Sequence, residues 1–118
     1  MIITIITFAS NIGSTQRLAA INIGTAVTAG NAVFTGDVAA EVYTINAAEG
    51  DSSADFNGDL LIADGDFTAD AGDGAGEDVT ITIAGNVTVE TANQDAILMD
   101  NNSGAVTLTF DGSSAQTI

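Results

Sequence analysis

The sequence predicts an all-β protein: a parallel β-helix, or β-solenoid, of about four to five coils with a period of 22–27 residues. Three observations predict it. A phrase of apolar, polar, Gly, Asp or Asn, and apolar residues recurs as FTGDV at 34–38 and FNGDL at 56–60. It returns more loosely as FASNI at 8–12, IAGNV at 83–87 and FDG at 110–112. Short runs rich in β-branched residues fill the intervals, separated by turn formers. Pro, which would interrupt a hydrogen-bond ladder running the length of a stack, is absent.

Taking the first apolar residue of each phrase as an anchor gives Phe8, Phe34, Phe56, Ile83 and Phe110, at intervals of 26, 22, 27 and 27 residues. Self-similarity on this scale marks solenoids and arrays. Read in chain order, the strands are Ile2 to Phe8, Ala19 to Ile23, Val42 to Ile45, Val79 to Ile83, Val87 to Glu90, Ala96 to Met99 and Val106 to Phe110. Gly24, Gly30–Asn31, Gly50–Asp51, Gly72 to Gly76, Asn101–Asn102 and Gly104 divide them. The best helix candidates, Thr15 to Ala20 and Ala39 to Val42, are too short to stand alone. Stacking the phrases places the anchors in one column. A second column follows, Ile12–Val38–Leu60–Val87, which ends at Ser114. Gly in each phrase is expected to supply a positive φ, and the Asp or Asn to bond back to its local backbone. The alternative architecture is an antiparallel β-sandwich in which the phrases mark hairpins.

The length, 118 residues, corresponds to one β-solenoid domain spanning 1–118, or to a segment of a longer repeat protein. Sixteen acidic residues face a single basic one, Arg17, for a net charge of −15. That balance opposes nucleic acid and anionic membrane surfaces, since neutralising phosphates requires Lys and Arg. No apolar run is long enough for membrane insertion. Without Cys, disulfides and thiolate metal sites are excluded. MIITIITFAS reads as a strand rather than a signal peptide, because it lacks a basic start and a cleavage site.

Catalysis finds little support. With neither His, Cys nor Lys, a Ser–His–Asp triad, a thiol nucleophile and a Schiff base are unattainable. One Tyr and no Trp leave no aromatic sugar groove. The sequence therefore predicts no enzyme, no catalytic residues and no cofactor-binding residues. Thr80–Thr82 and Thr107–Thr109 follow from the β-propensity of Thr.

Calcium is the cofactor to which the acidic middle points. Ten acidic residues lie between Glu49 and Asp78, and hard cations want several oxygens on a loop. The candidate ligands are Asp64, Asp66, Asp70, Asp73 and Asp78. The stretch DFNGDLLIADGD imitates an EF-hand loop, but Leu60 stands where that loop needs Gly and Asp66 where it needs Glu. The bland counterpart is a solvated acidic face with diffuse counter-ions.

The run ITFASNIGSTQRLAAINI at 6–23, with AVFTGDV and LTFDGSSAQTI, resembles repeats of large bacterial surface exoproteins, among them autotransporter passengers and outer-membrane-protein B-type antigens. Such repeats run T-F-x-G-x-V-G-x-x-x-x-L-x-x-[IL]. Thr7, Phe8, Ile12, Gly13, Leu18 and Ile21 fit, and Ser10 stands in for the usual Gly. The resemblance implies a right-handed parallel β-helix, secreted or on the cell surface, with structural, adhesive or shielding work. The expected partner is a further copy of the chain, associating end to end through open strand edges. The alternative is an adhesin module that binds a glycan or host surface through side loops.

Overall fold

The computed structural model describes residues 5–25, 27–63, 65–90 and 97–118. Eleven strands and no helix occur among them. They are β1 (Ile5–Phe8), β2 (Leu18–Ile23), β3 (Asn31–Phe34), β4 (Val38–Ala47), β5 (Ser52–Phe56), β6 (Leu60–Ile62), β7 (Phe67–Ala71), β8 (Val79–Ile83), β9 (Val87–Val89), β10 (Ile97–Asn101) and β11 (Val106–Phe110). Every pairing between them is parallel. The chain is a β-solenoid of about four turns, and the sandwich is excluded.

One sheet has the order β1-β3-β5-β8-β11 and forms the first face. The other has the order β10-β7-β4-β6-β9, with β2 also on β4. It divides at β4, whose Val38–Ala40 pairs with β6 while Tyr43–Ala47 pairs with β7. Burial alternates along β4 except at Glu41 and Val42, both half-buried, where the strand bends. The cross-section is therefore three-sided, with β6 and β9 on the second face and β2, β7 and β10 on the third.

Registers put Phe8, Phe34, Phe56, Ile83 and Phe110 in one line on the first face. The rings of Phe8 and Phe34 stack at 5.0 Å, and those of Phe34 and Phe56 at 4.9 Å, nearly parallel. This is the spacing of neighbouring strands, so the backbone ladder sets the stacking distance of the rings. Ile12, Val38, Leu60 and Val87 form the second line. The core is narrow: Ala32, Ala54, Ala69 and Ala71 are buried beside the rings of Phe34, Phe56, Phe67 and Tyr43. Small residues opposite large ones let the faces approach closely, as close packing demands. Buried Ser52 donates to the Asn46 carbonyl at 2.5 Å and accepts from the Gly30 N–H at 2.9 Å, so its burial leaves no polar group unsatisfied.

The shortest interval, 22 residues, is a tight coil rather than a misplaced anchor. Its second corner holds only two residues, 41–42, and its third four, 48–51. The first corner keeps three residues in four coils, at 9–11, 35–37, 57–59 and 84–86. The longer coils place their extra residues at the other corners. Four enter at 14–17; two more residues separate β6 from β7 and three more β7 from β8 than in the second coil, and five more separate β9 from β10.

Several sequence expectations change. Ala39 to Val42, a helix candidate, lies within β4, and Thr15 to Ala20 runs through bends into β2. Ile2 to Thr4 and Ala96 lie outside the described residues. β3, β5, β6 and β7 were not expected as strands. The second column does not end at Ser114. The Val87 N–H donates to the Thr117 carbonyl at 2.9 Å, as Val38 does to Asp59 and Leu60 to Asn86. The last phrase is thus interrupted by residues 113–116 and completed by Thr117 and Ile118.

Candidate functional site

The recurring phrase is a corner, and its chemistry connects coils rather than closing a local turn. The Asn11 side-chain oxygen accepts the Asp37 N–H at 3.0 Å, and the Asp37 carboxylate accepts the Asp59 N–H at 2.9 Å. The Asp59 carboxylate accepts the Asn86 N–H at 2.8 Å, and the Asn86 side chain accepts the Thr117 N–H at 3.0 Å. Each oxygen therefore reaches the backbone of the coil that follows, which corrects the expected local bond. Gly36, Gly58 and Gly85 do not have positive φ, which among the described residues is confined to Gly13, Gly24, Gly50, Gly76 and Glu49. What they supply is space: a Cβ on Gly58 would lie 2.5 Å from the Gly36 carbonyl carbon, and one on Gly85 would meet the Gly58 carbonyl oxygen. A second ladder stands at the third corner, where Asp51 accepts from the Asp78 N–H and Asp78 from the Ala105 N–H.

Of the five candidate metal ligands, four lie among the described residues, spread over a corner, a strand and the loop that follows it. Asp64 lies outside the described residues. Asp66 sits at the corner between β6 and β7, where its carbonyl accepts from the Tyr43 N–H. Asp70 projects outward from β7, since Phe67, Ala69 and Ala71 take the inner positions, and its carboxylate accepts from Asn102 at 3.2 Å. Asp73 lies in the following loop, and Asp78 belongs to the second ladder. Asp70 and Asp73 share a depression of about 310 Å³ with Glu49, Glu77 and Asn102. The Glu77 carboxylate there already accepts the Gly74 N–H at 2.7 Å. Among the described residues no three acidic side chains converge in a manner that could hold a metal ion.

A groove of about 450 Å³ runs along the second face beneath residues 14–17, bordered by Ser14, Thr15, Arg17, Asp37, Asp59 and Thr88. Arg17 reaches from the first coil to the fourth, where its guanidinium meets the Glu90 carboxylate at 2.6 Å. Both side chains are over two-fifths exposed, so this pair contributes little to stability.

The two ends of the stack differ from its flanks. β1 and β11 close the order of the first sheet. Ile5 and Ile6 are 60% and 55% exposed, Phe8 and Phe110 39% and 37%. At the β1 end a depression of about 440 Å³ opens between Ile6, Phe8, Ile12, Leu18, Ile21 and Ile23. A further property went unnoticed in the pattern of motifs: all sixteen acidic residues lie from Asp37 onward, so the first coil carries Arg17 and no carboxylate side chain. A segment-by-segment charge count would have found it.

Comparisons with family models, with curated proteins and with solved structures found no match.

Proposed function

We propose that the protein is a non-catalytic structural unit of an extracellular bacterial surface assembly, a fibre, layer or stalk, associating through its exposed strand edges. The observation that carries this reading is the pair of apolar sheet edges at β1 and β11 on a stack whose flanks are acidic. An edge strand presents a row of backbone donors and acceptors, a ready template for another strand. Dense like charge on the flanks opposes sideways clumping, so association is directed to the ends. The likeness of residues 6–23 to bacterial exoprotein repeats supports the extracellular setting. Light scattering and electron microscopy of the purified chain test this: regular polymers are expected, and a monomer at every concentration would refute it.

The groove on the second face favours a second reading, an adhesin module. It offers hydroxyls, carboxylates and one guanidinium to a polar ligand such as a glycan. A monomer that binds immobilised glycans, with binding lost in Arg17→Gln, would support that reading over the first.

A further inference from the structure

We propose that copies of this chain join head to tail and in register, the β11 edge of one against the β1 edge of the next, so that the Phe column runs on through the junction. This rests on the self-association proposed above and adds its polarity, its register and the occupant of the apolar depression beside β1.

The internal pattern defines the join. In successive coils the N–H groups of Thr35, Asn57, Ala84 and Asp111 donate to the carbonyls of Phe8, Phe34, Phe56 and Ile83. In the opposite sense, the N–H groups of Ile12, Val38, Leu60 and Val87 donate to the carbonyls of Asp37, Asp59, Asn86 and Thr117. Continued by one coil, the series pairs the Ala9 N–H of the next copy with the Phe110 carbonyl, and the Ile118 N–H with the next copy's Asn11 carbonyl. The tail is shaped for this. Gln116 donates to the Ile83 and Gly85 carbonyls at 2.8 and 2.7 Å and accepts from the Gly112 N–H at 3.0 Å. It thereby holds the 113–116 insertion against the corner and returns Thr117 to the ladder. Leu108, Phe110 and Ile118 then stand where the columns of Ile6, Phe8 and Ile12 continue.

Charge selects the polarity in part. Tail against tail would bring together the Asp100 and Asp111 carboxylates of two copies, whereas the first coil brings no carboxylate side chain to either kind of contact. Head against head is free of that repulsion but sets the strands antiparallel and ends the Phe column. Across the head-to-tail seam the first face continues strand to strand and the second through Ile118 alone; on the third, β10 and the next copy's β2 stand two strand spacings apart, roughly 9–10 Å.

End-blocked variants test the polarity. Ile6→Glu with Ala9→Pro blocks the head, and Phe110→Glu with Ile118→Pro blocks the tail; circular dichroism and melting check that each folds. Should a double variant not fold, the single changes Ala9→Pro and Ile118→Pro, at exposed positions, take its place. By light scattering the wild type grows with concentration, each blocked variant stays monomeric, and an equimolar mixture doubles in mass and stops. A tail-blocked variant that dimerises alone would overturn the polarity. A mixture that stays monomeric while the wild type assembles would overturn the register. A wild type that never assembles would instead remove the self-association on which the proposal rests.

Discussion

Gly58→Ala separates two explanations of the recurring glycine. If that residue served only as a flexible link, Ala would stiffen the unfolded chain and stabilise the protein by about 0.4–1 kcal/mol. The stacked corners lead to the opposite sign. The new methyl would sit 2.5 Å from the Gly36 carbonyl carbon and 2.6 Å from the Gly36 oxygen and the Asp37 nitrogen. Comfortable carbon contacts begin near ~3.5 Å, so the two corners must part by about 1 Å. Three backbone N–H groups donate across that gap: Asn57 N–H to Phe34 at 2.8 Å, Val38 N–H to Asp59 at 2.8 Å, and Asp59 N–H to the Asp37 carboxylate at 2.9 Å. An added ångström carries them past hydrogen-bonding range. At about 1 kcal/mol each, less the entropic gain, the net loss is about 2–3 kcal/mol. For a chain of this size that lowers the melting temperature by roughly 8–12 °C. Urea titration and thermal melting read it directly. Gly76→Ala is the control: its φ is 81° with nothing within 4 Å, so it carries a conformational cost alone, about 1 kcal/mol. A Gly58→Ala protein as stable as the wild type would refute the close-packed corner.

Asp59→Asn keeps the oxygen that accepts the Asn86 N–H and removes one of two neighbouring carboxylates, so stability should change by under about 0.5 kcal/mol; Asp59→Ala loses the acceptor and about 1 kcal/mol. Equal effects of the two in urea titrations would dismiss the ladder. Tyr43 is the chain's one tyrosine, and burial pushes its hydroxyl pKa well up, with the O–H donating to the Leu61 carbonyl at 2.8 Å. Its folded pKa lies above the unfolded value near ~10, so its contribution is full below that pH and is lost as pH rises toward the folded value. Phenolate absorbance should therefore appear only as the chain unfolds in alkali, and ionisation of the folded protein near the ordinary value would contradict the burial. Salt should raise the melting temperature by screening the excess of carboxylates, with Ca²⁺ and Mg²⁺ alike at equal ionic strength. A calcium-specific gain reversed by EGTA would instead assign an ion to the acidic segment.

The anchor column was readable because one phrase carries both the inward ring and the corner, and spacing alone aligned the copies. β8 and β11 were readable to the residue, because VTITI and VTLTF alternate β-branched residues with large apolar ones. β5 and β7 were not, because SSADF and FTADA hide their alternation behind small inner residues: Ala54, Ala69 and Ala71 bury little surface and have weak β-propensity. That same camouflage made Asp70 look like a loop residue, when it is the outward residue of a strand. Glu41–Val42 looked helical because a bend breaks the two-residue period. The Asp and Asn of each corner were identified correctly, but their bonds run between coils, a partner that only the stack supplies. The completion of the last phrase was hidden by four inserted residues, which moved Thr117 and Ile118 away from their expected places.

The uneven coil lengths carry a consequence for change. Between 22 and 27 residues, every addition enters at the second or third corner up to Val106, and the interior lines stay in step. The molecule therefore separates what must be kept from what is free to vary. A peptide grafted between Glu41 and Val42, the one second corner without surplus residues, would hang from the prism and leave the alignment of its neighbours untouched.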